Sequence, residues 1–449
     1  MVEDEIEHLR QEISVALEAG DTLEVSKILH GISVAESAML LDSMPAQQRD
    51  FIWPLIEPAR LGAILLEIQD DISDARLKAL EAEEITAIVE SLADVDDQAD
   101  LILDLPPDKL VRVLHRLDTH KRARLESVLA YSEDTAGGLM NIDQVTIRAD
   151  VSLDVVLRYL RMRGELPDHT DQLFVTDRHD HYLGALYLRD LLTNDLEDQV
   201  ADLMRTDVDA MHAYMSDTEV AREFENFDLV SAAIVDEEHK LIGRITIDDV
   251  VDVIRDEADR SFMGKAGLSE EEDMFSPVLP TSRRRGVWLG INLLTAFLAA
   301  YVIGFFENIL EQVVALAILI TIVPSMGGIA GSQTLTIAIR GLALGQLGSS
   351  NYRSLIKKEI LVGLLNGLAW ALVVATLSIL WFDNFSIGAI IAFALIVNLL
   401  AGAFAGATIP LVLRKIGVDP AIAGGVVLTT VTDVVGIIAF LGLATLLLG

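Results

Sequence analysis

Residues 421–448 read AIAGGVVLTTVTDVVGIIAFLGLATLLL, and Asp433 is the one ionisable side chain in that run. The run is longer than the roughly 20 residues that a helix needs to cross a bilayer. With a rise of about 1.5 Å per residue, Asp433 lies roughly 18 Å from Ala421, near the middle of the membrane. A carboxylate at that depth costs at least a few kcal/mol unless a cation, a partner or water compensates it, and such residues often mark ion paths. Asp433 is therefore the first candidate site residue. A structural carboxylate paired to backbone or hydroxyl groups is the alternative.

Four more apolar segments precede this run, so the sequence predicts a membrane domain of five transmembrane helices over 286–449. Each segment is about as long as the hydrocarbon core requires. The predicted spans are 287–306, 312–340, 360–382, 387–413 and 421–448.

The charges that flank these spans predict their orientation. Basic residues lie before the first span, between the second and third, and after the fourth, whereas the remaining connections are acidic. Under the positive-inside bias the basic connections are cytoplasmic. The N-terminal region is then cytoplasmic and the C-terminus external, in a multi-pass protein of the cell inner membrane. The basic residues are Arg283, Arg284, Arg285, Arg353, Lys357, Lys358, Arg414 and Lys415, and the acidic ones are Glu307, Glu311 and Asp383.

The chain has 449 residues and a net charge of −35, but this charge is unevenly distributed. From Gly286 onward six basic residues balance six acidic ones, so residues 1–285 carry 63 acidic against 28 basic side chains. Nucleic-acid binding needs a basic surface, so nucleic acid is not expected as a partner. There is no cysteine, and the nine histidines, all before residue 240, show no zinc or copper cluster. A divalent cation with oxygen ligands is therefore favoured.

Residues 1–130 predict an all-α superhelical N domain. Apolar side chains recur there at spacings of three and four, in short segments that prolines separate. This pattern is typical of stacked helical hairpins. Residues 248–285 predict a charged helix and a polar linker that lead to the first span.

Residues 131–256 predict a separate module, in which residues 138–256 contain an internal repeat. Each copy reads helix, strand, turn, strand, helix. Gly184 and Asp190 in the first copy match Gly243 and Asp249 in the second, at the same spacing. The repeat resembles a tandem CBS module, an α/β fold that commonly binds adenine nucleotides such as ATP. The resemblance implies ribose contacts from a hydroxyl residue followed, three positions on, by an aspartate. The second copy has this pattern, whereas the first copy has Tyr187 in place of the small hydroxyl residue. The alternative is a purely mechanical module that binds no nucleotide. The candidate nucleotide residues are Thr246, Asp249, Arg189 and Asp190.

Nearly the whole chain resembles the MgtE family of magnesium channels and transporters. The motifs are EDTAGGLM at 133–140, PSMGGIAGSQ at 324–333, GVDPA at 417–421 and DVVG at 433–436. The order of helical domain, CBS pair, linking helix and five spans is also similar. The resemblance implies a homodimer whose pore lies on the two-fold axis between the second and fifth spans. It also implies that the linking helix, called the plug, blocks the pore when cytosolic Mg²⁺ is abundant.

The second and fifth spans supply the candidate pore residues. Pro324 and three glycines would break or kink the second span, and irregular backbone at membrane depth is tolerated only against protein or a wet cavity. A glycine-rich face for helix packing is the alternative. Mg²⁺ keeps several waters and takes one or two carboxylates, so two copies of Asp433 facing across a dimer axis would suit it. Asp419 fits an N-cap before Pro420 and also an acid at the pore mouth. Glu359 is interpreted as a helix-start or paired residue. The candidate pore residues are Asp433, Asp419, Thr429, Thr432, Gly328 and Ser332.

The resemblance also implies a cytosolic cation sensor where the CBS module meets the plug. Asp249 and Asp252 are three residues apart and share one helix face. Without a cation such acids repel facing acids, and bound Mg²⁺ would bridge them. A solvated acidic helix is the alternative. The candidate sensor residues are Asp228, Asp249, Asp252 and Glu257.

The sequence therefore predicts a passive divalent-cation channel for Mg²⁺ uptake, closed by cytosolic Mg²⁺, and not an enzyme. One alternative hypothesis is a related pore that prefers Mn²⁺, Co²⁺ or another divalent ion. A second alternative hypothesis is a nucleotide-regulated, ion-coupled secondary transporter. An intramembrane aspartyl protease would need two aspartates at the depth of Asp433, and ATP hydrolysis would need a P-loop that is missing.

Several positions depart from the usual family pattern. Asparagines are usual where Ile329 and Ser332 stand, and Asn-Pro is usual at Gly425-Val426, so these changes bear on ion selectivity. Arg260 and Ser261 replace residues that are often acidic, which predicts an altered sensor.

Overall fold

The computed structural model describes residues 2–103, 105–207, 209–264, 266–268, 273–348 and 350–448. They form two compact units. The first comprises Met1–Ala258 with Glu271–Ser276, and the second comprises Asp259–Glu270 with Pro277–Gly449. The predicted linker range, 248–285, contributes to both units.

The N-terminal part of the first unit consists of short helices, so the predicted all-α N domain is confirmed. The helices are α1 (Val2–Ala19), α2 (Thr22–Gly31), α3 (Val34–Asp42), α4 (Ala46–Ile52, followed by a 3₁₀ turn, Trp53–Leu55), α5 (Pro58–Glu67), α6 (Asp70–Ala79), α7 (Ala82–Ser91), α8 (Val95–Leu103), α9 (Pro107–Arg116) and α10 (Thr119–Val128). Ser33 and Glu36 form a reciprocal capping box that starts α3. Helix α1 packs on α3, α3 on α5, α5 on α7 and α7 on α9, as stacked helical hairpins do.

Two small sheets of equal topology follow, and they confirm the predicted repeat. The elements are β1 (Thr146–Arg148), α11 (Leu153–Arg163), β2 (Gln172–Thr176), β3 (Tyr182–Tyr187), α12 (Leu188–Thr193), α13 (Val200–Leu203), β4 (Met211–His212), α14 (Asp217–Phe227), β5 (Ser231–Val235) and β6 (Leu241–Thr246). In each sheet the first two strands pair in parallel and the last two antiparallel. Gln172 pairs with Tyr187, and Ser231 pairs with Thr246, so the second copy repeats the register of the first.

The hydrophobic cores show how this unit is assembled. The first copy of the repeat has its own core around Leu153, Leu173 and Leu186. The second copy instead shares one continuous core with the N-terminal helices, to which Phe224 and Ile245 belong. The N-terminal helices therefore pack chiefly against the second copy.

A charged helix, α15 (Ile247–Gly264), follows β6 directly. Further along, Asp273 is buried against Arg49 of α4, with 2.5 Å between Arg49 Nη2 and Asp273 Oδ2. Removing one partner of a buried ion pair typically costs about 3–5 kcal/mol. This pair therefore fixes the segment after α15 to the N-terminal helices.

The second unit contains the membrane helices. Within the described part of the chain, five spans are long and apolar enough to cross a membrane, as predicted. The elements are α16 (Val278–Gly304), α17 (Glu307–Gln312), α18 (Val314–Leu319), α19 (Ile322–Ala343), α20 (Tyr352–Phe382), α21 (Phe385–Lys415) and α22 (Pro420–Leu448). Helix α21 is the most buried of the spans, and α19, α20 and α22 all pack against it.

The second span is broken, and the cause is Pro324. Helix α18 ends at Leu319 and α19 begins at Ile322, which places Pro324 in the first turn of α19. Proline lacks the N–H that the carbonyl of Ile320 would accept, and its ring clashes with that carbonyl. The prediction of a break or kink is confirmed as an interruption of the hydrogen-bond ladder, across which Ile320 and Thr321 keep helical backbone angles.

The glycines of this span have a different role from the one predicted. Helix α19 runs without interruption through Gly327, Gly328 and Gly331. A Cβ on Gly327 would lie 2.1 Å from Nδ2 of the buried Asn398, and one on Gly331 would lie 3.1 Å from the carbonyl oxygen of Gly402. The expectation that these glycines break the helix is wrong. At Gly327 and Gly331 they allow close packing of α19 on α21.

Candidate cation sites

Asp433 lies on a face of α22 that its own chain leaves partly open. Gly425, Thr429 and Asp433 are spaced four residues apart, so they share one side of the helix. Gly425 and Thr429 are exposed, and Asp433 is half-buried. The hydroxyl of Thr429 donates to the carbonyl of Gly425, 2.9 Å away. This face therefore carries a carboxylate and one hydroxyl oxygen at membrane depth.

The neighbouring helix α19 presents a second polar face. Ser325, Ser332 and Thr336 are exposed there, each close to one or two helical turns from the next. The two helices meet where a Cβ on Gly328 would lie 3.7 Å from Oγ1 of Thr432. These polar residues of α19 and α22 thus belong to two packed helices, and we call five of them the polar strip. It consists of Ser325, Ser332, Thr336, Thr429 and Asp433.

Not every predicted pore residue belongs to the polar strip. Thr432 is fully buried, and its hydroxyl donates to the carbonyls of Leu428 and Thr429 in its own helix. Position 432 is rotated about 100° from Asp433 on the helix, and there it packs against Gly328. The side chain of Thr432 therefore does not lie on the helix face that carries Asp433. Adjacent residues of a helix point in different directions, so closeness in sequence does not place them on one face.

Two further acids have identifiable structural roles. Asp419 is exposed, and its Oδ1 accepts the N–H of Ala421 at 2.7 Å, which confirms the predicted N-cap of α22. Glu359 is buried within α20, several residues after its start, so the helix-start interpretation is wrong. The paired interpretation is confirmed, because Glu359 accepts the hydroxyl of Thr334 at 2.9 Å and contacts Lys358 Nζ at 2.9 Å.

In the first unit, helix α8 and the start of α15 bring aspartates together. Asp96 is 6% exposed, and its Oδ1 has no hydrogen-bond partner among the described residues. Burial raises the pKa of Asp96 to about 9, and the nearby charge of Asp249 acts in the same direction. Burial likewise raises the pKa of Asp249 to about 7, with Asp248 and Asp97 adding to the effect.

Asp97 completes this group. Burial raises its pKa to about 6, and the charges of Asp94, Asp248, Glu67 and Asp252 act in the same direction. Carboxylates gathered in this way are unfavourable in their ionised form unless protons or cations neutralise them. A hard divalent cation with carboxylate ligands fits the group. We call it the acidic cluster. It consists of Asp94, Asp96, Asp97, Asp100, Asp248, Asp249 and Asp252, with Glu67 nearby.

The sequence identified only one side of the acidic cluster. Asp249 and Asp252 were predicted, and both contribute to it. Asp228 is exposed where it ends α14 in the left-handed conformation, and Glu257 is half-buried further along α15. Asp96 and Asp97 were missed, although a signal existed. Asp96 falls on the apolar face that Leu92 and Ala99 define, where an aspartate is out of place.

The predicted nucleotide residues differ between the two copies of the repeat. In the second copy, Asp249 Oδ2 accepts the N–H and the hydroxyl of Thr246, each at 3.2 Å. In the first copy, the guanidinium of Arg189 lies 4.5 Å from the ring centre of Tyr187, and Asp190 contacts Arg189 at 3.8 Å. An aromatic ring stacked under a cation thus occupies the position of the small hydroxyl in the first copy.

The histidines also hold a correction. The sequence showed no histidine cluster that indicates a zinc or copper site, yet the structure brings Asp177, His179 and His181 together in the turn between β2 and β3.

A helical N domain, a repeated α/β module and five spans with an intramembrane carboxylate define a class: membrane transport proteins with a large region outside the membrane spans. Family models agree along the chain. Residues 320–443 match the MgtE divalent cation transporter model, residues 32–134 the MgtE intracellular N domain, and residues 136–197 and 200–256 the CBS domain.

Individual relatives cover nearly the whole chain. It is 30% identical over 446 residues to the magnesium transporter MgtE of Thermus thermophilus, covering 98% of this chain and 99% of the relative. It is 27% identical over 433 residues to the magnesium transporter MgtE of Bacillus subtilis, with 96% of each covered. A crystal structure of the cytosolic domain of the Mg²⁺ channel MgtE in complex with ATP is 30% identical, with a TM-score of 0.49, covering 54% of this chain and 99% of that one. The chain belongs to the MgtE family of divalent cation transporters.

Proposed function

We propose that this protein is a passive channel for Mg²⁺ uptake across the inner membrane, with the N-terminal region in the cytoplasm and the C-terminus outside. The observation that carries the proposal is the polar strip with Asp433 near mid-membrane. Hydrocarbon does not solvate a carboxylate or hydroxyl groups, so such a surface faces water or protein. The relatives that cover nearly all of the chain are named magnesium transporters.

The partner that covers the polar strip is a second copy of the chain. A two-fold axis beside α19 and α22 would bring two Asp433 carboxylates to opposite sides of one path. Mg²⁺ gives up its waters reluctantly and is usually held through one or two carboxylates. A pair of facing aspartates therefore suits a partly hydrated ion and supports the homodimer as the conducting form.

The acidic cluster supports regulation by cytosolic Mg²⁺. Without cations, the aspartates of α8 and of α15 repel one another and favour separation of the N-terminal helices from the second CBS copy. Mg²⁺ bound between Asp96, Asp97 and Asp249 would offset that repulsion and hold the two parts together. Because α15 begins at the acidic cluster, this change reaches the helix that leads toward the membrane spans, and we propose that it closes the channel.

Ion flux into liposomes tests the proposed function. We expect Mg²⁺ to enter down its gradient through reconstituted protein, and to move in the opposite direction when the gradient is reversed, without any Na⁺ or H⁺ gradient. An internal fluorescent indicator measures the flux, and empty liposomes are the control. Mn²⁺, Co²⁺ and Ca²⁺ are compared at equal concentration.

Absence of Mg²⁺ flux would contradict the proposal. Strict dependence on a second ion gradient would favour the secondary transporter, and preference for Mn²⁺ or Co²⁺ would favour the alternative pore.

Nucleotide binding is a separate part of the proposal. We expect at most one ATP per chain, at the second copy of the repeat, because the stacked Tyr187 and Arg189 replace the small hydroxyl in the first. Titration calorimetry measures the stoichiometry. Thr246→Val keeps the shape of the side chain and removes its hydroxyl, so it should weaken binding. Asp190→Asn changes the residue of the first copy that corresponds to Asp249, and it should leave binding unchanged. Two equivalent sites per chain would contradict this expectation.

A further inference from the structure

The turn between β2 and β3 carries two imidazoles and a carboxylate on one side. The ligand atoms of Asp177, His179 and His181 all lie within 4.8 Å of one another. Asp177 Oδ2 is 2.9 Å from Nδ1 of His181 and 3.9 Å from Nδ1 of His179. A tetrahedral metal ion with bonds of roughly 2.0–2.3 Å needs ligand atoms about 3.3–3.7 Å apart. Small rotations of these side chains therefore bring all three atoms to coordination distance.

The backbone fixes this arrangement. Asp177 Oδ1 accepts the N–H of His179 at 2.7 Å and the N–H of His181 at 3.0 Å. Asp180 takes a φ of 65°, in the left-handed region, which lets the chain reverse within a few residues. One oxygen of Asp177 thus holds the turn, and the other faces the two rings.

The second copy of the repeat shows which of these residues the turn itself requires. Asp236 corresponds to Asp177, and its Oδ1 accepts the N–H groups of Glu238 and Lys240, both at 2.9 Å. His239 takes a φ of 63°, as Asp180 does. At the positions of the two histidines, however, the second copy has Glu238 and Lys240, which form an ion pair with each other. The turn therefore needs the aspartate and the left-handed residue, and the two histidines are not needed to build it.

The donor set points to a particular class of ion. Imidazole nitrogens suit Zn²⁺, Co²⁺, Ni²⁺ and Cu²⁺, whereas Mg²⁺ prefers oxygen ligands only. An aspartate carboxylate is ordinarily ionised at neutral pH, as a metal ligand must be. His179 is 79% exposed and His181 38% exposed, so the open side of the turn admits an ion and its water ligands.

We propose that Asp177, His179 and His181 form a site for one borderline transition-metal ion per chain, of the Zn²⁺ or Co²⁺ type. This site differs in donor chemistry from the acidic cluster and from the polar strip. It lies at the first CBS copy. The corresponding turn of the second copy has no histidines at the two ligand positions and is not expected to bind the ion. The proposal stands independently of Mg²⁺ transport.

Co²⁺ is the probe, because its visible absorption reports nitrogen ligands in a low-symmetry site. Full-length protein without a polyhistidine tag is titrated in detergent, in the presence of excess millimolar Mg²⁺. We expect one Co²⁺ per chain, with Zn²⁺ displacing it and Mg²⁺ not. The key variant combines His179→Glu with His181→Lys, which copies the turn of the second repeat. It should fold with an unchanged melting temperature and bind Co²⁺ at least about 10²-fold more weakly.

His179→Gln and His212→Gln serve as single-site variants. The first should weaken binding, and the second, an exposed histidine outside the turn, should not. The proposal is overturned if the double variant binds Co²⁺ as wild type does, if wild type binds none under these conditions, or if Mg²⁺ displaces the bound Co²⁺.

Discussion

Asp433→Ala is expected to reduce Mg²⁺ flux to the level of empty liposomes while leaving a folded protein. Asp433 is the carboxylate of the polar strip, so its removal takes away the charge that offsets dehydration of the ion inside the membrane. The side chain is only half-buried, and loss of a few atoms there creates no closed cavity in the core. Flux measured with an internal indicator, together with size-exclusion chromatography, separates loss of function from loss of folding.

Two further substitutions sharpen this test. Asp433→Glu keeps the charge but moves it along the helix face, so it should change the relative flux of Mg²⁺, Mn²⁺ and Co²⁺ more than it changes the total. Asp383→Asn is the matched control, because it removes an acid from the same unit at a left-handed position that asparagine also tolerates. Wild-type flux in Asp433→Ala would contradict the pore assignment.

The second large effect is expected at the acidic cluster. Combining Asp96→Asn, Asp97→Asn and Asp249→Asn should abolish the response of flux to cytosolic Mg²⁺. Moving the equilibrium between the separated and the packed state from 1:99 to 99:1 requires Mg²⁺ to bind the packed state more strongly by about 5.5 kcal/mol. Several carboxylates must therefore act together. Single substitutions should therefore shift the Mg²⁺ midpoint modestly, and the triple variant should conduct equally at micromolar and millimolar Mg²⁺.

A matched triple variant removes the same number of charges elsewhere. Glu18→Gln, Glu126→Gln and Glu225→Gln change three exposed acids of the first unit and should leave the Mg²⁺ response intact. If both triple variants respond as wild type does, the acidic cluster is not the sensor, although the pore assignment survives.

The raised pKa values in the acidic cluster allow the sensor model to be tested without Mg²⁺. Asp96, Asp97 and Asp249 have pKa values raised above their ordinary range, so the packed state binds more protons than the separated state. Contact between α8 and α15 is then favoured below the ordinary carboxyl pKa of 3.8 and weakens as pH rises from there to about 9, the highest of the raised pKa values. The chain has no cysteine, so spin labels on Val111→Cys of α9 and Val251→Cys of α15, both exposed positions, report the separation of the N-terminal helices from α15. The label distance should increase with pH in wild type and stay constant in the triple Asn variant.

Much of the architecture follows from local rules and could be predicted. Apolar runs of bilayer length gave five spans because a helix in hydrocarbon must be long and apolar. The break before α19 followed from Pro324, which cannot continue the hydrogen-bond ladder. The repeat was recognisable because similar sequence in the two copies produces the same strand register. Asp419 was recognisable as a cap because capping depends on the nearest few residues.

Other features depended on contacts between segments far apart in the chain. Gly327 and Gly331 look like helix breakers in sequence, yet Asn398 and Gly402 of another helix make them packing residues. Thr432 is adjacent to Asp433 but faces a different neighbour, because each step along a helix turns the side chain by about 100°.

The sequence by itself determined the membrane-spanning pattern, the repeat and the candidate carboxylate Asp433, since each depends on composition or on short-range spacing. Only the tertiary structure decided which charges meet. Asp96 and Asp249 belong to different domains of the sequence, and His179 and His181 face the same carboxylate oxygen only because the turn bends as it does. Burial and electrostatic repulsion act through space, so the acidic cluster and the histidine turn became recognisable once folding had brought their residues together.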